Sequence, residues 1–308
     1  MPAAESSDLL TLEAHRLGDL VNGHPDHVAA VVPQLVDVLT ATGDPRVVKA
    51  AVQALGHAWH PSAATALLDH VAHDHPDPQV RLALAQALPG CVEAPGDLHD
   101  RVVDVLTRMT HDREARVRDW AAFGLGQLHA RSQPALDAAA TLLSDPDRDT
   151  RSEALLTLAG AGDVRALPVL RRRLEADDEL SRLDLEAAAA LAAPALHAAL
   201  RRLAQDWAGD QDEFTDLLTT ALARCAPQAP ATARHVEQDL LAQVRRLLPE
   251  PARVTLEGSY PRTVLTAAGG DLGEGLHLAL WGDGERPEDG PTLDVTAAVR
   301  DSLARPPH

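Results

Sequence analysis

Lysine is almost missing from this chain: Lys49 stands alone, and isoleucine does not occur. Aromatic residues make up only 2%, and the two cysteines, Cys91 and Cys225, lie far apart. Each shortage excludes something. A face that grips phosphate backbones needs clustered Lys and Arg, because its affinity comes from counterion release. With a formal net charge of −18, no nucleic-acid partner is expected. Two separated cysteines form neither a disulfide framework nor a metal-type pair. They read as buried thiols in a reducing cytoplasm. No stretch of 18 or more apolar residues exists, so no membrane-spanning helix is expected. Residues 1–8 are acidic and polar, unlike a signal peptide, and the expected location is the cytoplasm.

Motifs of chemistry are missing too. There is no P-loop, no Gly-x-Ser-x-Gly elbow and no dinucleotide fingerprint. The acidic turns around Asp74 and Asp147 lack the Gly and closing Glu of a calcium loop. No catalytic set and no cofactor are expected.

What the chain has is alanine, leucine and a repeat. Asp44-Pro45-Arg46-Val47, running on to Ala54-Leu55-Gly56, matches Asp77-Pro78-Gln79-Val80, running on to Ala87-Leu88-Pro89, position for position. A third copy begins Glu114-Ala115-Arg116-Val117 and ends Leu125-Gly126. A fourth runs from Asp147 through Thr150-Arg151 to Leu158-Ala159, and a fainter fifth from Leu180 through Asp184 to Leu191. The equivalent positions Val47, Val80, Val117, Thr150 and Leu183 are spaced by 33, 37, 33 and 33 residues. Such a period means helix pairs that stack. Asp-Pro starts the first two of these helices, since Asp caps free N–H groups and Pro fits the first turn. Gly56, Pro89 and Gly126 mark the ends. Second amphipathic helices are expected at about 27–39, 61–71, 98–109, 134–143, 164–174 and 194–203.

The pattern Asp-Pro-x-Val-Arg, followed by Ala, Ala-Leu and Gly, resembles the bacterial HEAT-like repeat of the kind named after phycobilisome lyases. The resemblance covers roughly residues 9–225. It implies an all-α fold, a right-handed α-α superhelical solenoid with the Asp-Pro helices lining the concave side. It also implies a structural arginine ladder at Arg81, Arg118 and Arg151, broken where Val48 and Asp184 stand. Its implied partners are turn carboxylates of neighbouring repeats, such as Asp77 and Asp147.

The ends differ from the middle. Residues 9–20 read as one capping helix, and 214–222 and 233–248 as two more. After Pro251 the texture becomes strand-like at 253–257, 262–266 and 276–281, punctuated by glycines. A short helix is expected over 296–303. The expected organisation is a HEAT-like solenoid over 1–250 and a small β-containing C-terminal cap over 251–308, covering an end that stacked repeats leave exposed.

The concave face of a solenoid is its usual binding surface. One column of the Asp-Pro helices reads Lys49, Leu82, Asp119, Ser152, Leu185. The next reads Gln53, Gln86, Phe123, Leu156, Ala189. Leu82, Phe123, Leu156 and Leu185 break an otherwise polar face, and an apolar patch with a polar rim marks an interaction site. Trp120 stands where other repeats carry Ala50, Ala83, Glu153 and Glu186, in the repeat lengthened to 37 residues. It reads as filling the gap left by the insertion, or as a stacking surface. The expected function is a protein-binding scaffold or adaptor whose partner has a basic surface, such as a toxin. The alternative is a lyase-like or metal-binding HEAT-repeat enzyme. For the latter, His24, His27, His57 and His60 are the candidates, because two His pairs fall 33 residues apart. Stacked helices about 8–10 Å apart are poorly suited to sharing one ion, and no metal site is expected.

Overall fold

In the computed structural model, residues 2–92, 96–176, 180–207 and 213–227 are described, together with strands at 253–257, 264–268 and 276–279. The chain divides into two compact units, Met1–Pro227 and Gln228–His308.

The first unit contains thirteen α-helices among the described residues. In order they are α1 (Pro2–Val21), α2 (Val28–Thr40), α3 (Pro45–Gly56), α4 (Pro61–His70), α5 (Pro78–Gly90), α6 (Asp97–Met109) and α7 (Ala115–Gln127). Then follow α8 (Gln133–Leu142), α9 (Arg148–Ala161), α10 (Ala166–Ala176), α11 (Arg182–Leu191), α12 (His197–Asp206) and α13 (Glu213–Cys225). They form two rows. Each odd helix packs on the next odd one along the whole unit, while the even helices form a looser second row. The odd row is the one that the resemblance places on the concave side.

Local chemistry explains the helix starts. Asp44 and Asp77 accept from the N–H groups of Arg46 and Gln79 at 3.0 and 2.7 Å. Asp147 caps Thr150 at 2.9 Å. Ser181 and Asp184 form a reciprocal capping box at the start of α11. Such caps each stabilise a helix by about 1 kcal/mol. Pro89 does not end α5, which runs on to Gly90. A proline in the last turn is tolerated, and its ring instead meets the next helix at Gly124.

Small residues set the odd-row spacing. A Cβ on Gly18 would lie 3.0 Å from that of Ala54, and one on Gly56 2.8 Å from that of Ala87. A Cβ on Gly124 would meet the Pro89 ring at 2.7 Å. These helices therefore approach almost backbone to backbone. The core lies between the rows and is built from leucine, valine and alanine. One cluster spans Ala14 to Ala135 and a second spans Ala139 to Cys225. A small group, Ala122, Leu142 and Ala154, stands separately.

The arginine ladder is present, with different partners from those implied by the resemblance. Arg81 holds Asp112 through Nε and Nη2 at 2.6 and 2.9 Å, and Arg118 holds Asp145 in the same way at 2.6 and 2.8 Å. The partners Asp112 and Asp145 each stand two residues before the N-cap of the next odd helix, Glu114 or Asp147, while Asp77 and Asp147 cap their own helices. Burial opposes charge on Asp112 and Asp145, but the guanidiniums and a backbone N–H outweigh it and hold both carboxyls below their ordinary range. The fifth repeat reverses the polarity. Asp184, fully buried, accepts from Arg173 at 2.5 Å.

The second unit carries a three-stranded antiparallel sheet in the order β1 (Arg253–Glu257), β2 (Val264–Ala268), β3 (Leu276–Ala279). Thr266 pairs with Thr255 on one side and His277 on the other. The central strand begins two residues later than its sequence run at 262–266. The boundary drawn at 250 and the helices expected over 233–248 and 296–303 lie outside the described residues.

Candidate partner-binding face

The odd row presents its helices side by side, so one residue from each repeat forms a column across the stack. In the first column Lys49 and Asp119 are half-buried. Leu82 and Leu185 are not surface residues: they are 6% and 0% exposed. The close helix approach seals this position against the neighbouring helix, and both leucines belong to the core. In the second column Gln53 is exposed, Gln86 and Leu156 are half-buried, and Ala189 is buried. Phe123 is 40% exposed, a large value for an aromatic ring on a packed row.

Phe123 does not stand alone. Its ring meets Trp120 edge-on, centroids 5.3 Å apart at 75°. That T-shaped arrangement sets the positive edge of one ring against the negative face of the other. Trp120 itself rests half-buried against the core. The extra residues of this repeat lengthen the α5–α6 connection and α6, and Trp120 pairs with Phe123.

Carboxylates flank the ring pair. Asp119 Oδ1 is buried and has no hydrogen-bond partner among the described residues. Burial pushes the Asp119 carboxyl up to about 6, with help from the negative charges of Asp147 and Asp149 and against Arg116. Glu153 is pushed up to about 7, first by burial and then by Asp119, Glu186 and Asp149. Both shifts follow from removing like charges from water without a matching cation. Sequence reading singled out Asp119 but not Glu153 or Glu186. The signal was available: these two acids occupy the Trp120 column in the following repeats.

The histidine edge is arranged differently. His24 and His27 stack at 5.7 Å. His27 Nδ1 lies 3.1 Å from the Leu20 carbonyl, and His60 caps Ser62 at 3.1 Å. His57 is exposed in the same row of turns. Among the described residues no three His, Cys, Asp or Glu side chains gather closely enough to hold a metal ion. Nor is any described helix long and apolar enough to cross a membrane.

Stacked capped helix pairs, an arginine ladder and a 33-residue period define an α-solenoid of helical repeats. The family model for HEAT repeats matches residues 17–89 and 102–192, more than half of the chain, and the chain belongs to that family. No curated protein matches it significantly. Among solved structures, YIBA of E. coli aligns with a TM-score of 0.56 at 18% identity, covering 72% of this chain and 81% of that one. An engineered protein aligns at 0.50 with 21% identity, covering 79% and 71%. The complex of CpcE and CpcF of phycocyanin lyase from Nostoc aligns at 0.34 with 18% identity, covering 69% and 72%. Identities this low speak for the fold alone, and the lyase alignment carries no argument about chemistry.

Proposed function

We propose that this chain is a protein-binding scaffold and that the odd-row face around Trp120 and Phe123 receives a basic segment of its partner. The observation that carries this reading is an aromatic pair, Phe123 exposed and Trp120 half-buried, beside two carboxylates, Asp119 and Glu153, that no cation among the described residues neutralises through a hydrogen bond. Asp119 and Glu153 are costly to ionise where they are. An arginine or lysine from a partner relieves that cost through a charge-assisted hydrogen bond and a cation–π contact with the rings. Lys49, Gln53, Gln86 and Leu156 extend the face on either side. The net charge of −18 adds long-range attraction for a basic surface.

The test is calorimetric titration with an arginine-rich peptide and an acidic peptide of equal length. The basic peptide binds, and Glu153→Lys and Phe123→Ala each weaken it by about tenfold, as expected for one charge-assisted contact or one aromatic anchor. Equal affinity of wild type and Glu153→Lys would remove this face from the interaction.

A further inference from the structure

The even row is interrupted. Neighbouring even helices touch from α2 to α8 and again from α10 to α12, but α8 and α10 barely meet. A cavity of about 350 Å³ lies at that break. Ala140, Leu143 and Val169 form its apolar wall. Ser144, Arg151, Arg172 and Arg173 form its polar side. In so acidic a chain, a cavity lined by three guanidiniums and no described carboxylate stands apart.

The three arginines are not equally free. Arg173 is committed to Asp184 at 2.5 Å and to Ser152 at 3.1 Å. Arg151 uses only Nη1, which donates to the carbonyls of Asp145 and Pro146 at 2.8 and 3.0 Å. Its Nε and Nη2 have no hydrogen-bond partner among the described residues, and neither has Arg172. The two preceding rungs of the ladder show what this fork takes. Arg81 and Arg118 use Nη1 for the equivalent pair of carbonyls in their own turns and close Nε and Nη2 on a carboxylate. Asp145 lies near, but its carboxylate is held by Arg118.

We propose that the cleft between α8 and α10 binds a small organic anion, its carboxylate or phosphate head on Arg151 and Arg172 and a short apolar tail against Leu143 and Val169. The planar fork of Arg151 matches two oxygens of such a head. The cavity lies at the small end of the range for ligand pockets, about 300–1,000 Å³. Glu179 stands at the ladder register in the sequence, two residues before the Ser181 cap, and lies outside the described residues.

The experiment is calorimetric titration of the full chain with hexanoate, hexyl phosphate, inorganic phosphate and hexanol. Hexanoate or hexyl phosphate binds saturably below about 10 mM, and hexanol does not. Arg172→Ala, an exposed and unbonded position, weakens binding by about tenfold with an unchanged circular dichroism spectrum. Three results would overturn the proposal. One is no saturable binding of either tailed anion. Another is equal binding by wild type, Arg172→Ala and Arg151→Gln. The third is binding that appears only in Glu179→Gln, which would mean the chain's own carboxylate fills the fork. Inorganic phosphate binding as tightly as hexyl phosphate would remove the apolar wall from the site. The odd-row reading stands or falls separately.

Discussion

Arg118 and Asp145 meet across 27 residues of chain through two hydrogen bonds of 2.6 and 2.8 Å. The same guanidinium holds the carbonyls of Asp112 and Arg113, so one side chain ties two successive turns together. Both partners are nearly buried, with side chains 13% and 6% exposed. Removing one leaves the other unpaired in a dry place. Arg118→Ala is expected to destabilise the fold by about 3 kcal/mol. Arg118→Lys keeps the charge but loses the fork, and recovers less than half of that. Thermal melts followed by circular dichroism measure both; a fully rescuing lysine would show that charge alone matters.

Two glycines are expected to answer alanine in opposite ways. Gly160 lies in α9 with open space where a Cβ would go. Gly160→Ala stabilises by up to about 1 kcal/mol through helix propensity. Gly56 has the same propensity argument but meets Ala87 at 2.8 Å. Gly56→Ala destabilises, because two helices must part. Melting temperatures that rise for both variants would contradict the close packing of the odd row.

Stability depends on pH through the odd-row carboxylates. Asp119 and Glu153 carry raised values of about 6 and about 7 in the folded chain. The folded state therefore binds protons that the unfolded state has already released, and stability falls as pH rises from about 4.5 to 7. Below the ordinary carboxylate range the opposite group acts. Asp44 is lowered to about 2, first by the Arg46 side chain, and Asp112 and Asp145 are depressed by their arginines. Their contribution is lost on strong acidification. Glu153→Gln should raise the melting temperature by about 2–4 °C at pH 8, for an effect of about 1 kcal/mol after solvent screening. At pH 4 it should change nothing. A pH-independent difference would show that packing, not ionisation, is responsible.

The two thiols are expected to be silent. Cys91 and Cys225 are 1% and 0% exposed, and burial pushes each up to about 11. At pH 8 a disulfide reagent should label neither until denaturant is added, because the thiolate is the nucleophile. Immediate labelling of one thiol would place it at a surface.

The repeat was legible because each of its elements has a local cause. Asp44, Asp77 and Asp147 announce helix starts through capping, and the 33-residue period announces stacking. Which residues face outward was less legible. Leu82 and Phe123 sit in adjacent columns and look alike as letters, yet one is sealed and the other is open. That difference is set by how neighbouring helices pack, which single letters do not show. The ladder shows the same limit. Its arginines were recognisable, but their partners, Asp112 and Asp145, stand two residues before the helix starts and not at them. The acids Glu153 and Glu186 gained meaning only when their desolvation beside Asp119 became visible.

The contact between α7 and α9 is intimate, yet it is made largely of small side chains such as Ala122 and Ala154, and the two large core clusters lie on either side of it. Closeness without much apolar area leaves this joint with less hydrophobic stabilisation than the two clusters beside it. Amide exchange is expected to show the helices before α7 and after α9 opening with separate free energies.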